Sequence, residues 1–424
     1  MTLFTILVLP VLLLILGAPV FAVIMASATI AMIFTLDLPI TLTQTELFGG
    51  VNNYSLIAVP FFIFAGAIMT AGRMSERLVN LVLSMIGWIR GGLGATIVGA
   101  ATVFGAISGS SPATVAAIGG SMYPSLLRNG YPDHVAAGLI ASSGAIAGII
   151  PPSIALILYS VAAEESVRDL FIAGILPGMF ISLLMATYIV FTARRLGIND
   201  KRKWSLAGTS KSIQQGSWAL GMPLIILGGI YGGIFSPTEA AGIACIYAAF
   251  VSLVVYRSMS LRELWKVAAD SVFLTAQVLL IVAAASIFSR MITILGIPQD
   301  LVLWISGYDL SPIVLLLALN LFLLAVGCLL DPVSAILVLA PILKPIVIAA
   351  GIDPVHFGVV MTVNLMIGMF TPPFGLNIFV AQGVFRLPIR VLYRGIMPFV
   401  FVNVVALIVV SFWPALSLFL VGLL

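Results

Sequence analysis

Apolar runs dominate this chain, and its polar residues fall in short interruptions between them. Residues 4–35 are apolar throughout and predict a membrane span. A short polar loop over 36–50, with Asp37 and Glu46, leads to a second span at about 52–72. Arg73, Glu76 and Arg77 then precede Leu78, Leu81, Val82, Met85, Ile86 and Ile89. This stripe at helical spacing, with charged ends at 73–90, predicts an interfacial amphipathic helix. Residues 93–127 are apolar but broken at Ser108-Gly109-Ser110-Ser111-Pro112. Each arm has about 15 residues, or about 22 Å of helix, against a hydrocarbon core of about 30 Å, so a re-entrant hairpin is predicted. Residues 136–160 can span, but Pro151-Pro152 removes backbone donors inside them and predicts a helix broken in two.

The second half repeats this punctuation. A shift of 221 places Pro124 on Pro345, Gly130 on Gly351, Pro151 on Pro372, Pro152 on Pro373 and Ser110 on Asp331. Gly148 lands one place from Gly368. A span at 170–193, a basic linker over 194–211 and spans near 216–235 and 239–256 lie between the halves. The second half itself reads as a span at 270–289, an amphipathic stretch at 290–309 and a hairpin at 311–350 broken at 327–332. A broken helix at 355–382 and a last span at about 395–424 complete it. Repeats of this kind are a feature of secondary transporters.

Composition settles the solvent. With 62% hydrophobic and 8% charged residues and a mean hydropathy of +1.23, the chain is no soluble globular domain, where charged residues make up about a quarter. The pI of 9.1 encodes orientation rather than nucleic-acid binding. Placing the 194–211 linker in the cytoplasm leaves 16 of the 19 basic residues inside, with Arg168, Arg290 and Lys344 outside. The two hairpins then enter from opposite faces. The expected fold is therefore an all-α polytopic membrane protein of inverted repeats, each with a re-entrant hairpin and a broken helix. Cys245 and Cys328 lie in apolar runs and read as packing residues. The first charged residue is Asp37, so the N-terminal helix is expected to be retained.

Broken helices carry chemistry. Half-helix C-termini offer free carbonyls, and Ser and Thr add hydroxyls, a donor set suited to hard cations such as Na⁺. Half-helix N-termini suit a carboxylate. Candidate cation ligands are Ser108, Ser110, Ser111, Gly144, Gly148, Gly327, Asp331, Gly368, Thr371 and Gly375. Candidate substrate contacts are Ser111, Pro112, Thr114, Pro151, Pro152, Ser153, Asn364, Pro372 and Pro373. Asp331 reads equally as an intramembrane functional acid and as the cap of the second hairpin arm. His134 and His356 read as surface or capping residues, and Glu239 as a first-turn helix residue. No phosphate-binding loop, HExxH or Ser-His-Asp set occurs, so neither an ATPase nor another enzyme is expected.

Several motifs together resemble the large membrane subunit of the tripartite ATP-independent periplasmic (TRAP) transporters. They are Ala58-Val59-Pro60-Phe61-Phe62-Ile63, Gly91-Gly92-Leu93, Ser108-Gly109-Ser110-Ser111, Pro151-Pro152-Ser153, Ser236-Pro237-Thr238-Glu239-Ala240 and Thr371-Pro372-Pro373-Phe374-Gly375. The resemblance implies Na⁺-driven uptake of an organic acid, such as a C4-dicarboxylate or sialic acid, across a bacterial inner membrane. It implies a periplasmic substrate-binding protein and a small four-helix membrane subunit, expected here as a separate chain. It further implies an elevator mechanism of the ion-transporter superfamily type. In that scheme 93–160 and 311–382 form the moving domain. Residues 1–92, 161–310 (with the linker at 194–215) and 383–424 form scaffold, and the stretches at 73–90 and 290–309 act as arms. A stand-alone cation-coupled transporter of the same superfamily and a channel are the alternatives.

Overall fold

The computed structural model describes residues 8–200, 205–308 and 310–423; Lys201-Arg202-Lys203 of the linker, the start of the first span and Asp309 of the second amphipathic stretch lie outside the described residues. Every peptide group in a bilayer core needs an internal partner, and helices supply one within the segment. Six of the described helices are long and apolar enough to cross a membrane.

Two helices, α1 (Leu9–Ile15) and α2 (Val20–Phe34), replace the single first span. Between them Gly17 adopts φ +80° and Pro19 has no N–H to continue the ladder. The stretch expected as a loop contains α3 (Ile40–Val51), which packs along a later helix and pairs its Glu46 with Arg290 there at 3.4 Å. After it come α4 (Ala58–Ala71) and the amphipathic α5 (Met74–Ile86). The first hairpin is α6 (Gly92–Ser108) and α7 (Ser111–Arg128). The first broken helix is α8 (Asp133–Gly144), a 3₁₀ turn over 145–148 and α9 (Ile154–Ala162).

Next follow α10 (Val167–Arg195), α11 (Leu206–Tyr231) and α12 (Pro237–Phe250). The helix α11 starts inside the expected linker, because Ser205 accepts a bond from Gly208 N and caps it there. Ser236 and Glu239 form a capping box on α12, the structural role expected of Glu239. The helix α13 (Leu261–Ile294) reaches 34 residues behind a second capping box, Ser260 with Glu263. It consumes the start of the second amphipathic stretch, so α14 (Ile297–Ser306) begins only after Gly296, at φ +71°. The second hairpin is α15 (Pro312–Gly327) and α16 (Pro332–Ala349), and the second broken helix is α17 (Pro354–Gly368) and α18 (Leu376–Phe385). The chain closes with α19 (Ile389–Phe412) and α20 (Ala415–Leu418).

The repeat is visible in the helix ends. A shift of 221 carries Ser111 and Arg128, the ends of α7, onto Pro332 and Ala349, the ends of α16. The same shift carries Ile40 and Ala71 onto Leu261 and Ile292, so α13 is the unbroken counterpart of α3 and α4. Gly130 and Gly351, one repeat apart, hold φ +87° and +76° where only glycine is unstrained.

The repeats interlock. The second arm of each hairpin lies on the second half-helix of the other repeat: α7 on α18, and α16 on α9. Tyr123 of α7 stacks on Phe385 at the end of α18, with ring centroids 4.3 Å apart. One repeat later, Lys344 of α16 donates to the Ala163 carbonyl that ends α9 and pairs with Glu165 at 2.7 Å. A cation at the negative end of a half-helix is favourable. The helices α10 and α19, grouped with the scaffold in the sequence reading, pack chiefly on α6 and α8 respectively. Each follows a broken helix through a short loop; α10 returns onto its own repeat, while α19 crosses onto the first broken helix. On the other side α2, α3, α4 and α12 gather around α13 and each other, and α11 bridges α5 to α12. The protein is an all-α polytopic membrane protein built of two inverted repeats.

Inversion has a direct test. With Cys245 and Cys328 replaced, single cysteines placed beside Arg128 and beside Lys344 are expected to label with an impermeant reagent from opposite faces of the membrane. Labelling of both from one face refutes the inverted arrangement.

Candidate functional site

The first hairpin turns at Gly109, whose φ of +56° ends α6. A β-carbon there would lie 2.7 Å from the Pro152 carbonyl, so the tip sits directly on the break in the neighbouring helix. Ser110 then takes an extended conformation, and Pro112 opens α7, where its missing N–H costs nothing. The tip hydroxyls are knitted together: Thr114 Oγ1 donates to Ser110 O at 2.8 Å and lies 3.3 Å from Ser108 Oγ. Ser111 is held from the other repeat. Asn377 Nδ2 donates to Ser111 Oγ at 2.8 Å, Ser111 Oγ returns a bond to Asn377 Oδ1 at 3.1 Å, and Asn377 Nδ2 also reaches Ala141 O at 3.0 Å. Below the tip, Ser153 Oγ donates to Gly148 O at 2.5 Å and accepts from Leu156 N.

The second tip closes on backbone. A side chain at Gly368 would collide with the Gly327 carbonyl. One at Gly375 would lie 2.5 Å from Met369 O and 2.9 Å from Gly368 O. Carbonyls of Gly327, Gly368 and Met369 therefore crowd one crossing, and Thr371 Oγ1 donates nearby to Ile367 O at 2.7 Å. Asp331 caps α16: its carboxylate accepts Ser334 N at 2.9 Å and Ser334 Oγ at 2.7 Å. The capping reading therefore holds, and the residue also lines the cavity described below. Behind the tip, Asn364 Nδ2 donates to Asn320 Oδ1 and Val360 O, both at 2.8 Å, and Asn320 Nδ2 to Ser411 Oγ at 2.9 Å. Asn364 Oδ1 is buried with no hydrogen-bond partner among the described residues, as is Ser143 Oγ, 221 positions earlier. Unpaired buried oxygens are costly, and such oxygens with carbonyls and hydroxyls are the donors a hard cation takes.

Between the two tips and the α4–α13 wall lies a cavity of about 390 Å³. Residues 108–113 and 331–333 line one side of it, and none of its described lining residues is Lys, Arg or His. Of the predicted residues, Ser108, Ser110, Ser111, Pro112 and Asp331 face this space. Thr114, Gly144, Gly148, Pro151, Pro152, Ser153, Gly327, Asn364, Gly368, Thr371 and Gly375 do not line it. Pro372 and Pro373 do not face it either; the Pro373 carbonyl accepts the Tyr393 hydroxyl at 2.8 Å. His356 is buried rather than on the surface, because the end of α19 covers it: Nε2 lies 3.2 Å from Ser411 O. Sequence reasoning missed Asn377, Thr70 and Gln277. The available signal for the two amides was a lone Asn or Gln inside an apolar run, where a polar group in the membrane has a function by default.

A protein-family model described as "Tripartite ATP-independent periplasmic transporter, DctM component" matches residues 7–416. The chain is 42% identical, over 88% of its length and 87% of the relative's, to the C4-dicarboxylate TRAP transporter large permease protein DctM of Pseudomonas aeruginosa. It is 40% identical to the ectoine/5-hydroxyectoine TRAP transporter large permease protein UehC of Ruegeria pomeroyi, over 97% and 96% of the two chains. It is 36% identical to the isethionate TRAP transporter permease protein DctMQ of Oleidesulfovibrio alaskensis, over 96% of this chain and 65% of that protein. Its fold is similar to the YdaH transporter of Alcanivorax borkumensis, with a TM-score of 0.65, 16% identity and 88% of each chain covered.

The knot between the repeats predicts two stability effects. Asn377→Ala should cost about 1–2 kcal/mol through the bonds lost to Ser111 and Ala141, and Gly368→Ala about 1–3 kcal/mol through overpacking against Gly327. Both are read as a lowered unfolding midpoint in detergent; midpoints equal to wild type would show that these contacts do not hold the hairpins.

Proposed function

This chain belongs to the DctM-component family of TRAP transporters, and on that premise we propose that it is the large permease of a Na⁺-coupled importer of an organic acid. It is a multi-pass membrane protein and a transporter subunit, not an enzyme. The observation that supports the transport reading best is the cavity between two hairpin tips and an apolar wall. The substrate proposed is a C4-dicarboxylate, sialic acid or a similar carboxylate. Relatives named for C4-dicarboxylates support the first of these. With no basic side chain among the described lining residues, the carboxylate would meet the N-terminus of α7. Its first-turn amides have no intrahelical acceptor, and the helix dipole favours an anion there.

Na⁺ travels as cargo. The donor types fit it: the Ser108 and Thr114 hydroxyls and the Ser110 and Ser111 backbone at one tip, the carbonyls of Gly327, Gly368 and Met369 with Thr371 at the other. Gly144, Gly148, Gly375 and Asp331 border these sets. Bound cations beside the tips would offset the substrate's charge in a space that lacks Lys and Arg, which gives coupling a physical basis.

Transport proceeds by an elevator motion in this reading. The interlocked hairpins and broken helices, with α10 and α19 packed on them, form one body. It would slide along the α4–α13 wall, guided by α5 and α14 as arms. The partners proposed are a periplasmic binding protein that delivers the acid and a small four-helix membrane subunit on a separate chain, in a bacterial inner membrane.

Two experiments test this. Ser110→Ala and Ser111→Ala should weaken the Na⁺ dependence of uptake about tenfold or more; uptake indifferent to Na⁺ and driven by protons alone would remove the coupling assignment. Proteoliposomes holding this chain with the small subunit and binding protein should accumulate substrate, while the chain alone should not. Equal rates from both preparations would leave a stand-alone transporter.

A further inference from the structure

The cavity wall opposite the hairpin tips consists of two helical stripes. Ile63, Gly66, Ala67 and Thr70 of α4 face the cavity at helical spacing. Leu274, Gln277, Val278 and Ile281 of α13 do the same. Each stripe has one polar side chain. The Thr70 hydroxyl is already bonded to Gly66 O at 2.9 Å. The Gln277 amide has no partner among the described residues and is exposed to the cavity. Gln277 lies seven residues past Asp270, inside the apolar stretch of α13, where a free amide facing hydrocarbon is costly.

The rest of the cavity sharpens the contrast. Ser108 is paired with Thr114, Ser111 with Asn377 and Asp331 with Ser334. Ser110 Oγ, on the opposite wall, is the other polar lining side chain without a partner among the described residues. An uncommitted amide and an uncommitted hydroxyl thus face each other across a space of about 390 Å³, enough for a small organic acid.

We propose that Gln277 is a substrate-binding residue supplied by the fixed wall, its amide N–H donating to a carboxylate or hydroxyl oxygen of the acid held at the hairpin tips. This rests on the transport reading above and adds that the wall, besides the moving body, sets substrate affinity. The contact exists only while the tips stand level with the centre of α13.

Two measurements test it in a background free of Cys245 and Cys328. Gln277→Cys should react rapidly with a charged, water-borne thiol reagent, while Val272→Cys, exposed on the face of α13 turned away from the cavity, should not; no reaction at 277 overturns the proposal. Gln277→Leu and Gln277→Met are then assayed for uptake of labelled succinate and ectoine by the reconstituted complex. Both substitutions remove an unpaired amide, so the unfolding midpoint should hold or rise. KM should rise about tenfold, the worth of one hydrogen bond to a charged oxygen, with kcat within about twofold and Val272→Leu like wild type. Unchanged KM in both variants sinks the proposal and leaves the transport reading intact. Failure of wild type to accumulate either compound counts against the transport reading, and the proposal falls with it.

Discussion

A peptide group left unpaired in hydrocarbon costs several kcal/mol, and the two hairpins and two broken helices of this chain interrupt the helical ladder four times. The structure answers each interruption with another. The Gly109 turn rests on the Pro152 carbonyl, and Gly368 of the second broken helix rests on Gly327 of the second hairpin. Asn377, inside the second broken helix, ties down Ser111 of the first hairpin. A hairpin alone or a broken helix alone would expose bare backbone to lipid. Together they bury it and leave oxygens gathered at two places.

The same demand explains why the halves are entwined rather than side by side. Each second hairpin arm lies on the half-helix of the opposite repeat, so neither half closes its own breaks completely. Lys344 illustrates the gain. It reaches the last carbonyl of α9 and Glu165, giving a half-helix of nine residues a capping cation that its own sequence lacks. Against this knot the wall presents two largely apolar stripes with one polar side chain each; it meets the hairpins where α13 lies on α16 and where a β-carbon on Gly66 would lie 3.0 Å from Ser108 Cα.

The repeats are not copies in every respect. The second repeat has one continuous helix, α13, where the first has α3 and α4, and it has Asp331 where the first has Ser110. The continuous helix carries Gln277 within its apolar stretch; the position one repeat earlier is Leu56. The asymmetry falls at the wall and the tips, the parts that face the cavity.

From the sequence alone came the solvent, the repeat, the positions of the four breaks, the amphipathic character of α5 and the capping role of Glu239. Each of these acts locally or by sum: Pro and Gly act on their own backbone, Ser236 and Glu239 sit three residues apart, and hydropathy is a property of a window. Tertiary structure alone decided that residues 40–51 coil into a helix on α13, that α10 returns onto α6 of its own repeat while α19 crosses onto α8 of the other, and that His356 lies under the end of α19. It also decided that Asn377 meets Ser111 across 266 positions and that Gln277 faces the hairpin tips. No local preference encodes which face of a helix meets a partner hundreds of residues away. Packing chooses that face, and the need to pair every backbone break in a medium without water chooses the packing.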